Sequence, residues 1–356
     1  SQAKAYAFIG VAHAMGYLMP MLGGYMADTV VGIRRSILLG SIMLATAYLL
    51  IMISGYTVSS LGDTFFIAAY AFVPATNSLL MGTSSSMVSH IYSDDAIKAK
   101  SAMTYYYIAI NVGALLATLI APLLFESRYG PLSILTLAFV GKSIAALNFA
   151  KRYSIYENVI WGKDQSKLSQ SGILRLIAYI VTIYVLTLFA YSHVYIASTI
   201  IATGCGIGIA WFLKKTLTLT GNIRDKQMIA LLLIIEAVVF FVIYNQMNST
   251  LILFAENNSD HNLFGLTVSP AHYQILNPLL ILAIGSQLPR FYKLFPRFTI
   301  PYQFAAGTAL AGVALLVMAF AASTTTDGII NGNYIALTYI LISIAELWVS
   351  AIGLSM

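Results

Sequence analysis

Residues Ser36 to Ser54 read SILLGSIMLATAYLLIMIS, a run without a single Asp, Glu, Lys or Arg that is entered directly from Arg34-Arg35. At about 1.5 Å of rise per helical residue such a run crosses a hydrocarbon layer of roughly 30 Å. A soluble helix of that length would carry charge every turn or two to solvate its outer face. The pattern is general along the chain, because 59% of its 356 residues are hydrophobic and 9% are charged, far from the balance of soluble domains. The expected fold class is therefore all-α integral membrane.

Outward from that run, further spans are expected at Tyr6 to Ala27, Phe65 to Ile91, Ala102 to Leu124 and Leu132 to Phe149. A polar stretch follows, Tyr153 to Ser171. Then come Ile173 to Tyr191, Tyr195 to Leu213, Met228 to Phe254, Ser269 to Leu288, Tyr302 to Ala322 and Tyr334 to Met356. Eleven spans place the two ends on opposite sides. Threaded in this order, sixteen of the 19 Lys and Arg residues fall on one side, only Lys4 and Arg128 on the other, and Lys142 within a span. Positive residues are retained in the cytoplasm, which orients the chain. Its net charge of +6 then reflects topology and contact with anionic lipid headgroups, and no nucleic-acid surface is expected.

Several function classes drop out. Cys205 is the single cysteine, so there is neither an internal disulfide nor a cysteine metal cluster. No Gly-x-Ser-x-Gly elbow marks a hydrolase nucleophile, and His13, His90, His193, His261 and His272 show no metal-ligand spacing. No enzyme, metal or cofactor is expected.

Five stretches carry a resemblance. Gly23-Gly24-Tyr25-Met26-Ala27-Asp28, followed by Gly32 and Arg34-Arg35, resembles the cytoplasmic loop motif of the major facilitators. In it Gly24 would allow close helix approach, Asp28 would accept from a neighbouring helix terminus or Arg, and the arginines would pin the loop inside. Tyr105-Tyr106-Tyr107-Ile108-Ala109-Ile110-Asn111-Val112-Gly113 is similar to the signature of the proton-dependent oligopeptide transporters within that superfamily. Tyr244 to Thr250 with Phe254-Ala255, then Gln274-Ile275-Leu276-Asn277-Pro278, resemble that family's seventh and eighth helices. Glu346, Ser350, Gly353, Leu354 and Ser355 follow its tenth-helix pattern.

The resemblance implies a major facilitator fold, two pseudo-symmetric helix bundles plus an inserted helix pair. Residues 1–152 would be the amino-terminal bundle (family helices 2 to 6), 153–225 a cytoplasmic linker with the inserted pair, and 226–356 the carboxy-terminal bundle (family helices 7 to 10). One further span before and two after would complete the pattern. The extra pair implies a prokaryotic member, a multi-pass protein of the bacterial inner membrane.

Glu346 is an acid midway along a span, where an ionised carboxylate is costly unless paired or solvated, so it is a functional candidate by position alone. By resemblance it receives the substrate's amino terminus and takes part in proton coupling. Asn111 and Asn277 can donate and accept. On spacing alone interhelical glue is the better explanation of them, and the resemblance reverses that preference and makes them substrate contacts together with Tyr17 and Ser350. Gln246 and Ser249, three apart on one helix face, would extend the polar lining. Lys142 and Glu236 have no family role, and both an ion pair and snorkelling to the interface stay open.

Two positions depart from the family. Its fourth-helix lysine aligns with Met81 and the seventh-helix carboxylate with Asn245. Losing both is physically consistent, because losing one would strand a buried charge at roughly 3 to 5 kcal/mol. The function implied is import of di- and tripeptides by proton symport through alternating access, the halves rocking about a central cavity. The alternative is a divergent member moving another small zwitterionic or organic solute, such as an amino acid or a siderophore, without that lysine–carboxylate pair.

Overall fold

The computed structural model describes residues 2–92, 94–159, 162–295 and 297–353. Helices dominate: α1 (Gln2–Met26), α2 (Ile33–Tyr56), α3 (Val58–Tyr70), α4 (Phe72–Ile91), α5 (Ala96–Phe125), α6 (Pro131–Lys151), α7 (Gln170–Ser192), α8 (Val194–Leu217), α9 (Gly221–Tyr244), α10 (Thr250–Asn258), α11 (Leu276–Gly285), α12 (Leu288–Leu294), α13 (Ile300–Thr324) and α14 (Gly332–Gly353). A small hairpin pairs β1 (Asn262–Leu263) with β2 (Leu266–Thr267). Among the described residues, ten helical segments are long and apolar enough to cross a membrane. By packing, the chain divides into one unit of Ser1–Tyr107 with Leu124–Gly204 and a second of Ile108–Leu123 with Cys205–Met356.

Small residues set the helix contacts, as expected where lipid removes the usual hydrophobic drive for helix association. In the first unit, α1 meets α4 at Gly23, whose missing Cβ leaves room for the backbone of Ser78 and Leu79. This corrects the expectation for Gly24, around which there is open space. Adjacent helical residues point about 100° apart, so only one of the pair can face α4. Gly40 of α2 plays the same part against Thr76, Leu79 and Leu80. Helix α7 joins this unit: Leu176 packs with Met26, Val31 and Leu79, the Tyr179 hydroxyl meets Ser78 Oγ at 2.7 Å, and the Tyr191 ring lies 4.9 Å from Phe8 and 5.6 Å from Tyr70.

In the second unit, α13 and α14 pack through Gly307, Ala311, Ala314 and Ala345, with Gly307 facing Val349 and the Ala345 carbonyl. Two expected spans are broken there. Ser269 to Leu288 consists of a 3-10 turn, Pro270–Ile275, followed by the ten residues of α11. Met228 to Phe254 is interrupted where α9 tightens into a 3-10 turn at Asn245–Asn248 and Ser249 leaves helical geometry at φ −140°, ψ −89°. A break inside a membrane leaves backbone groups that need partners. Tyr339 of α14 supplies one, its buried hydroxyl donating to the Met247 carbonyl at 2.5 Å.

Candidate functional site

Asn277 stands in the first turn of α11, immediately before Pro278, and its Nδ2 donates to Glu346 Oε2 at 2.6 Å and to Ser343 Oγ at 3.1 Å. Ser343 is one turn ahead of Glu346 on α14 and donates its own proton to the Tyr339 carbonyl at 2.7 Å. Tyr244, the last residue of α9, donates its hydroxyl to Glu346 as well. Three elements thus converge on one buried carboxylate, and two of them do so where a helix is broken. Among the described residues no Lys or Arg forms an ion pair with it. A carboxylate held only by neutral donors has its charge met by a proton or by a cationic group that arrives.

The other expected residues fall in different surroundings. Gln246 and Ser249 lie on the α9–α10 break and turn inward on it: Gln246 donates to the Val242 carbonyl at 2.8 Å and accepts from Thr250 at 2.7 Å, and Ser249 donates to the Asn245 carbonyl at 3.0 Å. Asn111 is buried in the stretch of α5 that belongs to the second unit. Tyr17, in the first unit, is 64% exposed. The side chain of Ser350 lies outside the described residues. Of the two departures, Met81 is exposed with the Asn77 amide 3.7 Å from its sulfur, and Asn245 donates to the Phe241 carbonyl of its own helix at 2.7 Å. Lys142 places its ammonium 5.9 Å from the centre of the Tyr48 ring.

The loop motif is built around a residue the sequence reading missed. Asp28 is exposed, and among the described residues its carboxylate has no hydrogen-bond or ionic partner, so it does not serve the neighbouring helix terminus. Asp164 does, from the stretch after α6, accepting from the backbone N–H of Arg34 at 2.8 Å and of Arg35 at 3.4 Å while pairing with the Arg35 guanidinium at 3.3 Å. A signal for it existed. Helix α2 opens on Gly32-Ile33-Arg34-Arg35, with no capping side chain and two cations at the positive end of the helix dipole, so an acid from elsewhere had to be supplied.

Long apolar helices, helix breaks satisfied by neighbouring side chains and a buried acid bonded from those breaks define a polytopic membrane protein with a polar site inside it, a transporter of the major facilitator fold by its likeness to solved structures. Solved structures agree: a peptide transporter POT in complex with sulfate superposes with a TM-score of 0.84 at 22% identity, covering 100% of this chain and 73% of that one. A structure from work on substrate recognition in proton dependent oligopeptide transporters does so at 0.81 and 25%, covering 99% and 75%. The family model described as POT family matches residues 34–356, and the chain belongs to that family. It is similar to dipeptide and tripeptide permease A of Chromobacterium violaceum, 32% identical over 358 residues and covering 100% of this chain and 71% of that protein. The permease of the same name from Serratia proteamaculans is 33% identical over 360 residues, with 100% and 70% covered.

Proposed function

We infer that this chain is a secondary active transporter of the bacterial inner membrane, importing di- and tripeptides by proton symport through alternating access. The observation that carries it is the Glu346 carboxylate, buried and held by Asn277 and Tyr244 with no countercharge among the described residues, in a member of the POT family. Glu346 receives the ammonium of an incoming peptide, and the same carboxylate takes part in proton coupling. Asn277 orients it, and Asn111, Tyr17, Gln246, Ser249 and Ser350 contribute to the substrate path. Residues 1–152 and 226–356 act as the two halves, with 153–225 connecting them. Coupling does not use a lysine at 81 or a carboxylate at 245, which are Met and Asn here. The alternative, another zwitterionic or organic solute, is not favoured, since the similar curated proteins are dipeptide and tripeptide permeases.

The test is uptake of a labelled dipeptide into proteoliposomes with and without an inward proton gradient. Gradient-driven accumulation, displaced by unlabelled di- and tripeptides, is the expected outcome. Absence of dipeptide uptake in both conditions overturns the assignment.

A further inference from the structure

The amino end of α2 has an unusual electrostatic problem. Its first N–H groups point toward Gly32, which has no side chain to accept from them, and two arginines follow at once. The segment following α6 answers each demand. Asp164, with a side chain 2% exposed, accepts from both backbone N–H groups and from Arg35 Nε. The far end of Arg35 donates to the carbonyls of Lys163 and Ser166, the latter at 2.6 Å. Arg34 lays its guanidinium 4.1 Å above the Tyr153 ring and donates to the Tyr153 carbonyl at 3.5 Å. The backbone at Gly32 is held at φ +93°, and a Cβ there would strike the Asp164 carboxylate, so the loop is shaped around this acid.

We propose that Asp164 is a positioning residue for transport: its carboxylate fastens the segment after α6 to the amino end of α2, so that the loop motif and helix α7 change conformation as one body. Five residues separate Asp164 from the start of α7 at Gln170, and α7 packs on Val31 just ahead of Gly32 through Leu176. The latch therefore closes a short ring of contacts within the first unit. Asp164 belongs to that unit and the Glu346 cluster to the second, so loss of the acid alters the rate of the conformational step and leaves substrate affinity alone.

The proposal rests on the transport activity above and is tested on the intact protein in proteoliposomes. Asp164→Ala is expected to lower the maximal rate of proton-driven dipeptide uptake about tenfold with KM within about twofold, as for loss of an interaction that does not contact substrate. Arg35→Ala is expected to do the same, and the double variant to be no slower than either, since the two side chains form one interaction. An unchanged maximal rate, a change confined to KM, or additive losses would each overturn the proposal. Should Asp164→Ala fail to fold, Asp164→Asn keeps the volume and one acceptor but not the charge, and is expected at roughly a third of the wild-type rate; at full rate the proposal fails. Trypsin separates this proposal from the activity it rests on. Wild-type protein without dipeptide uptake refutes the activity, whereas cleavage after Lys167 that is about tenfold faster in Asp164→Ala than in wild type supports the latch, by release of a pinned segment. Equal cleavage rates refute it.

Discussion

Asp164 and Glu346 are two buried acids in different units of the molecule, and their partners are of opposite kinds. Asp164 sits at the end of a helix, against two backbone N–H groups and a guanidinium. Glu346 sits in the body of a helix, against an amide and a phenol. A carboxylate matched by a fixed cation and a helix dipole is committed to structure. One matched by neutral donors keeps an unfilled requirement for positive charge, which a proton or an ammonium can fill. What separates the two acids in this chain is thus the charge of their partners, with burial common to both, and that difference is the ground on which Glu346 is proposed to receive substrate and Asp164 to hold a loop in place.

The hardest blow to that contrast comes from Glu346→Gln. Removing the charge while keeping the shape should cut proton-driven dipeptide uptake by roughly 100-fold, the size expected when a buried charge loses its partner. Wild-type uptake at the same gradient would end the assignment. Next is Asn277→Ala, which strips the 2.6 Å donor from Glu346 and should raise KM about tenfold, in line with about 1–3 kcal/mol for a buried acceptor left unsatisfied. A wild-type KM would show that the amide only joins helices. Smaller still, Gly32→Ala should cost roughly 1–2 kcal/mol, read as a lowered melting temperature in detergent, from positive-φ strain combined with crowding of Asp164. No shift would mean that the loop has room it should not have. The mildest are Gln246→Ala and Ser249→Ala, expected to change uptake by less than about threefold because their bonds are to neighbouring residues of their own break and they line the path only at its margin; a tenfold loss in either would make it a principal substrate contact.

The spans were legible because an uncharged apolar run of membrane length has almost no place in a soluble fold. Helix continuity was not: the breaks at Asn245–Asn248 and Pro270–Ile275 are short, uncharged polar stretches inside longer apolar runs, which read equally well as the polar lining of an unbroken helix, and hydropathy carries no record of backbone dihedrals. Glu346 was legible from position alone, and the family resemblance marked Asn277 as a substrate contact, but the hydrogen bond that joins the two was visible only in the structure. Tyr244 and Ser343 were overlooked as partners, the first closing an apolar run and the second lying three residues before the acid. Asp164 escaped because an acid in a polar cytoplasmic stretch resembles any solvated surface charge, and only the uncapped, doubly cationic start of α2 required it. The choice of Gly23 over Gly24 depended on the rotation of α1, which two adjacent glycines cannot report.

The empty side of Gly32 also constrains how this sequence can drift. Any side chain at position 32 collides with Asp164, and any loss of the acid at 164 leaves two arginines and a bare helix end unanswered. Neither site can change first without penalty, so a lineage that abandons one must rewire the other in nearly the same step. The pair therefore behaves as a single inherited character spread over two loops 132 positions apart in the chain.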